Sequence, residues 1–560
     1  MKKIIGFLIV TFIFSVSYAQ TGPAGVGGHE DDIEEGEPIS ALWLRAEDLS
    51  QDYTDGEEVT SWEGVSEYEH EAVVGFNEVA APLFKENKIN GFPWVEFSGD
   101  NFFLVEDHEV LDGGTGIAIY CVLQQWIENS GTIVSKGLHW NFFSNHESVG
   151  RILTMEEAQH AYDMYFDTEG KSITTFINGN LPNGSGQDVF TDTVYGDDDQ
   201  TYIIDYVFNK NWGGTIRVNG DATVKPGRSE GNPNPITLGD DPVYDGTADL
   251  RIGVRYWDPP GWQNPEDPAY QAFMQGGISE LIIFKGELDS TQMILIENYL
   301  ATKYNTELNE EYALYTDSVY IYDFIGIGTQ TGGDIHNMSS RAGFMLEGLN
   351  ASIDSAGDYL MAAHNGSEIE YIDSTIAVED MERWTRIWNI SKTGNIDTKI
   401  SFDFFEAGLR LDDASMYALL YRESDTADFS PLDIDATVKF KTLSFEVTND
   451  MLKSGQYTLG HVAETGGGTF VSDLKFSDNI SVFPNPATSD KINITLSMND
   501  IGSGNLRILD YTGKKLYSIE FSKTSSVFES TLPVASLERG VYFIEISLNN
   551  KRGIKSFIKK

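Results

Sequence analysis

Along most of the chain, apolar and polar residues alternate in short runs separated by Gly, Asn, Asp or Pro. The runs 117–125, 132–136, 161–166, 172–177 and 202–208 are rich in Ile, Val, Tyr and Phe, and each predicts a strand. Residues 215–218 run into Asn219-Gly220-Asp221, a hairpin signal because Asn-Gly accepts the positive φ values of a type I′ turn. One segment keeps a helical period instead. Asp289 can cap it, Gln292 stands three residues on, Met293, Ile296 and Leu300 share a face, and Asn305 is a plausible stop. Many strands and a lone helix predict an all-β chain built of two-sheet sandwiches.

The runs group into regions. Residues 38–306 read as one unit, from Ala41-Leu42-Trp43-Leu44-Arg45-Ala46 through Trp94-Val95-Glu96-Phe97-Ser98-Gly99 to the strand 277–284 and the helix. A second β-rich module spans 307–462, with strand runs at 324–328, 359–364, 384–390, 399–405 and 417–421. Trp384 and Trp388 are expected in its core, and the module is read as a spacer or adhesion element. A linker at 463–478 contains Gly466-Gly467-Gly468. Residues 479–560 alternate with period two and predict a small antiparallel, immunoglobulin-like sandwich of about seven strands. At the other end, Lys2 and Lys3, an apolar run over 4–16, and Ser17-Tyr18-Ala19 predict a signal peptide over 1–19, with Gln20 as the mature start. That run is too short to span a bilayer, and an acidic, Gly-rich linker is expected over 20–37.

Composition narrows the function classes. The chain has 560 residues, enough for three or four domains, and a formal charge of −49. Such a balance argues against nucleic acid and against anionic membranes, both of which need a basic face. A single Cys excludes an internal disulfide framework and a multi-cysteine zinc site, and Cys121 is expected as a buried small hydrophobe. From Val471 onward the balance reverses, with 12 Lys and Arg against 9 acids.

That basic end opens with Phe483-Pro484-Asn485-Pro486, carries Gly540-Val541-Tyr542, and closes on a strand ending in Lys559-Lys560. It resembles the C-terminal sorting domain of the type IX secretion system of Bacteroidetes. The resemblance implies that Pro484, Asn485, Pro486, Gly540, Tyr542, Lys559 and Lys560 belong to the sorting signal. It also implies a translocon and a processing protease as partners, and a secreted or outer-surface location. The 38–306 region resembles laminin-G-like, concanavalin A-like jelly rolls, on its Trp-Leu-Arg-Ala start, its Arg217–Asp221 hairpin and the 277–284 strand leading to the Asp289 helix. That likeness implies binding of glycans or proteins, often with calcium; some relatives are glycosidases or lyases.

Glu30-Asp31-Asp32-Ile33-Glu34 has the spacing of a paired-carboxylate glycosidase strand but precedes the first strand, so a solvated linker is the expectation. Asp197, Asp198 and Asp199, and Asp240 with Asp241, are loop clusters of the oxygen type that calcium takes, and calcium is the one cofactor the chain suggests. Sugar sites combine a flat aromatic face with polar groups at its margin. Trp257, Asp258, Trp262 and Asn264, in the Pro-stiffened loop 256–264, are therefore the expected ligand contacts, with Trp140/Asn141 and Trp212/Asn211 as weaker ones. The sequence contains no His-Glu-x-x-His and no phosphate-cradling Gly-x-x-x-x-Gly-Lys-Ser/Thr loop. The resulting expectation is a non-catalytic binding or adhesion protein. A polysaccharide-degrading enzyme with dispersed active-site residues is the alternative.

Overall fold

The computed structural model describes residues 20–560 apart from 126–130, 140–146, 153–160, 167–172, 178–186, 191–199, 227–242, 258–269, 463–478 and breaks of up to four residues elsewhere. The expected signal peptide, both aspartate clusters and most of the 256–264 loop lie outside the described residues. The chain divides into two compact units, Met1–Ala313 and Leu314–Lys560.

Two antiparallel sheets make the first unit. One runs Asp221–Ala222, Gly213–Val218, Tyr202–Asn209, Gly116–Gln125, Gln275–Lys285, Phe92–Ser98, Leu83–Ile89, with Ile39–Arg45 also paired to Gln275–Lys285. The other runs Lys225–Pro226, Gln187–Phe190, Ile173–Ile177, Tyr162–Phe166, Thr132–Lys136, Leu250–Ile252, Phe103–Val105, Glu71–Val74, Ser61–Glu63. Ile119, Cys121, Leu281 and Ile283 of the first sheet share one core with Val134, Tyr162, Met164 and Ile252 of the second. Because side chains alternate along a strand, Tyr162, Met164 and Phe166 face that core while Asp163 and Tyr165 point to the other side. Asn219 and Gly220, at φ 51° and 79°, close the expected hairpin.

The helix Ser290–Tyr304 forms where its caps require. Asp289 accepts from the Gln292 amide, Gln292 answers in a capping box, and Asn305 ends it in the left-handed region at φ 51°. It differs from the expectation in one respect: nearly all of it is buried, whereas Met293, on the expected apolar face, is only half-buried. Its polar residues are buried because they carry partners. Lys303 Nζ donates to Glu280 at 2.8 Å and to Glu47 at 3.0 Å, Glu297 pairs with Arg217 at 2.8 Å, and Asn298 donates to the Tyr312 carbonyl. Residues 20–28 also lie against this unit. The Ser40 amide donates to the Gly28 carbonyl at 3.0 Å, and a Cβ at Gly27 would stand 2.7 Å from the Pro38 carbonyl, so glycine is what permits the approach.

In the second unit, residues 322–462 form a nine-stranded and a five-stranded sheet. Ile325, Leu360 and Ile390 of the larger share a core with Phe344, Ile400 and Phe445 of the smaller. Trp384 and Trp388 are buried in it, each 1% exposed. The expected run 384–390 is split into Met381–Trp384 and Trp388–Thr393, both paired with Gly455–Val462. Thr385 to Ile387 bulge out between them, where the Thr385 amide is held by the Glu370 carbonyl at 2.8 Å.

The last eighty residues form seven antiparallel strands in two sheets, as the alternation predicts. Ile480–Phe483, Lys491–Ser497 and Val527–Pro533 make one; Lys515–Lys523, Gly502–Asp510, Gly540–Leu548 and Lys551–Lys559 make the other. Ile492, Ile494, Leu506, Ile544 and Phe557 lie in the core between them.

Candidate functional site

In the first unit, the face of the nine-stranded sheet turned away from the core carries an unexpected polar row. Asp163 stands opposite Ser135, and Ser135 opposite Arg251, on three neighbouring strands. Asp163 and Ser135 are fully buried, so this face is covered. The Ser135 hydroxyl has no hydrogen-bond partner among the described residues. Arg251 Nη1 reaches the Gly137 and Asp249 carbonyls, each at 3.4 Å. The Arg255 guanidinium lies 4.3 Å over the Tyr165 ring, which places the strand Arg255–Trp257 against the same face.

That strand belongs to a small sheet with Tyr270–Gln271 and Leu138–His139. Trp257 stands opposite His139 in a parallel pairing, so both strands end at the same edge of the small sheet. Of the expected ligand contacts, Trp257 is thereby placed on this strand. Asp258, Trp262 and Asn264 lie outside the described residues, as do Asp197, Asp198, Asp199, Asp240 and Asp241. Among the described residues no group of three or more His, Cys, Asp or Glu could hold a metal ion.

Elsewhere in this unit, carboxylates that lie close together are engaged in buried networks. Glu280 accepts from Trp43 Nε1 at 2.6 Å, Tyr299 at 2.7 Å, and Tyr304 and Lys303 at 2.8 Å. Burial pushes its carboxyl up, but the Lys303 ammonium and these donors outweigh that and hold it below its usual value. Asp205 and Glu297 are both raised, first by burial, and share one cation, Arg217. Lys136 is fully buried and pairs with Asp107 and, at 3.1 Å, with Asp112. Burial pushes Asp112 up to about 7 despite the pull of that ammonium.

In the C-terminal sandwich, residues more than seventy positions apart meet on the closing strand. Asn485 Oδ1 accepts from the Ile558 amide at 2.9 Å, the Ala487 amide donates to the Ile558 carbonyl at 2.6 Å, and Ala487 pairs in parallel with Lys559. On the strand's other side Lys559 stands opposite Gly540, and Tyr542 opposite Phe557, their rings stacked at 5.7 Å. The segment carrying Pro484, Asn485 and Pro486 and the segment carrying Gly540 and Tyr542 thus bracket one strand. Phe483, which precedes them, is 71% exposed; Lys560 lies outside the described residues. Spacing alone could not reveal this bracket, because it depends on how the strands pair.

Residues 481–560 match the family described as the secretion system C-terminal sorting domain. The protein is therefore directed by a type IX sorting signal and is secreted or displayed at the cell surface. No helix among the described residues is long and apolar enough to cross a membrane. A comparison with curated proteins finds no match. Among solved structures, domain 4 of a GH43 extracellular arabinanase from Geobacillus stearothermophilus, in complex with arabinotriose, aligns at 12% identity, covering 46% of this chain and 98% of that one with a TM-score of 0.27. The binding domain of botulinum neurotoxin DC in complex with SialylT aligns at 12% identity over 76% of this chain and 95% of that one, with a TM-score of 0.29. Likeness at these scores carries no argument about ligand.

Proposed function

We propose that the exported chain is a non-catalytic binding or adhesion protein whose 38–306 sandwich, of the laminin-G-like kind, recognises carbohydrate or a surface partner. The observation that supports this most is the strand Arg255–Trp257, which packs on the outer face of the nine-stranded sheet through Arg255 over Tyr165 and ends in Trp257. That strand leads in sequence into the Trp- and Asn-bearing segment 256–264, and flat rings with polar neighbours are what hydroxyl recognition with ring stacking needs. Binding is favoured over hydrolysis because the close carboxylates of the described first unit are committed to Lys303, Arg217 and Lys136. The alternative, a glycosidase or lyase, has one observation in its favour: Asp112, held up to about 7, has the pKa of a general acid. Asp112 is buried and paired with Lys136, however, so no substrate oxygen is offered to it.

Glycan-array binding by the full chain, with and without a calcium chelator, tests the reading. Two rings at about 1 kcal/mol each predict roughly thirtyfold weaker binding for the Trp257→Ala/Trp262→Ala double variant. Unchanged binding would remove the loop from the site. Loss with chelator would support calcium at Asp197, Asp198 and Asp199 or at Asp240 and Asp241, and indifference would discard it. Release of reducing sugar that Asp112→Asn abolishes would favour the enzyme instead.

A further inference from the structure

The second unit carries an exposed aromatic ring on an unusually well-built floor. Tyr322, the first residue of the strand Tyr322–Thr329, is 43% exposed, and its ring stacks on that of His364 at 6.0 Å and 29°. His364 is buried and held at both nitrogens. Its Nδ1 accepts from the Gly366 amide at 2.9 Å, and its Nε2 lies 2.8 Å from Asp323 Oδ2. The first bond leaves the proton on Nε2, which donates it to Asp323, so the ring is fixed in one tautomer and neither nitrogen is left for proton transfer. A floor is what remains for it to be.

The backbone is bent to suit. Asp323 is a non-glycine residue at φ 45°, inside a register shift between Tyr322 and Ile325. Residues held in this sparsely populated region cluster where a side chain must be aimed. Gly366, at φ 71°, lies under the ring, and a Cβ there would stand 2.6 Å from a Tyr322 ring carbon. Arg341 Nε donates to Asp323 Oδ1 at 3.1 Å, at the margin of the platform. Arg341 and Asp323 are thereby an ion pair, so the two charged groups beside the platform offset each other. That balance selects no net charge in a ligand.

We propose that Tyr322, with Asp323 and Arg341, forms a binding site for a neutral saccharide. A pyranose stacks its CH face on Tyr322 and turns hydroxyls towards the Asp323 carboxylate and the Arg341 guanidinium. His364 and Gly366 are positioning residues that keep the ring flat. This site lies wholly in the second unit and does not depend on the reading of the first.

The test is affinity electrophoresis of the full chain through gels containing neutral polysaccharides of glucose, mannose, xylose or arabinose, one at a time. Stacking on one ring predicts about two- to tenfold weaker retention for Tyr322→Ala and near-normal retention for Tyr322→Phe. Tyr322→Phe keeps the ring on its floor and should keep the wild-type melting temperature, Tyr322→Ala should still unfold cooperatively, and the same loss should appear in the Trp257→Ala/Trp262→Ala background. Retention unchanged by Tyr322→Ala, no retention of the wild-type chain on any of these gels, or binding of a proline-rich peptide through Tyr322 in place of sugar would each overturn the proposal. Loss confined to the tryptophan variant would overturn it while leaving the first-unit site standing.

Discussion

His70 and Asp112 occupy the same sandwich and titrate in opposite senses. Burial, with the His108 ring 5.1 Å away, lowers His70 to about 4; burial raises Asp112 to about 7. Between pH 4 and 6.5 the folded state binds fewer protons at His70 than the unfolded chain does, so that group adds stability as pH rises. Asp112 behaves the other way. It stays protonated in the folded state where the unfolded chain has ionised, and it removes stability from about pH 4 to 7. The two slopes oppose each other, and single substitutions should separate them. Relative to wild type, His70→Gln should melt progressively lower as pH rises from 4.5 to 6.5, and Asp112→Asn progressively higher. Parallel melting curves across that range would show that neither group titrates as its surroundings dictate. Neither residue draws attention in the sequence, because its burial and its neighbour, His108 for the one and Lys136 for the other, come from tertiary packing.

At the scale of elements, the helix Ser290–Tyr304 is held to its sheet through charge as well as apolar contact. Glu280 sits on Gln275–Lys285, just past a bulge at Ile278, and Lys303 reaches it from the last turn of the helix. Removing one partner of a buried pair leaves the other charged and unpaired, at a cost of about 3–5 kcal/mol. Lys303→Met should therefore destabilise the first unit by about that much in urea titration. Lys303→Met with Glu280→Leu should recover part of the loss, since the pair is then absent rather than broken. A cost under about 1 kcal/mol for the single variant would mean that water reaches Glu280. The helix itself was plain from Asp289, Gln292 and Asn305, since caps act over three or four residues. Its burial on nearly every side was not, because the partners of Glu297 and Lys303 lie eighty and twenty-three residues away.

Over the whole molecule, the charge divides along the sequence into an acidic body and a basic terminal sandwich that matches the sorting domain. The closing strand Lys551–Lys559 is bracketed by the Asn485 and Gly540 segments, so the sorting domain cannot complete its sheet without it. Deleting residues 551–560 should leave the protein inside the cell envelope, while Asn485→Ala, which removes one hydrogen bond, should reduce export only in part. Immunoblots of medium, surface and periplasm would read this. N-terminal sequencing of the exported form should begin at Gln20 if the signal peptide is cut where proposed. Normal export of the truncated chain would separate the closing strand from sorting.

By itself the sequence determined that the chain is all β, that one capped helix follows the 277–284 run, that an Asn-Gly hairpin closes at 219–220, and that the end carries a sorting motif. Those are local signals: side-chain alternation, caps and turn residues act within a few positions, and a motif is a string. Tertiary structure alone decided which polar residues meet. Asp163, Ser135 and Arg251 form a row only because three strands from distant parts of the chain pair in that register. Tyr322 lies on His364 only because a bulge at Asp323 turns it there. Strand pairing is set by burying a common core, a global requirement, and the residues it brings together on the opposite face are a consequence that no short window of sequence contains.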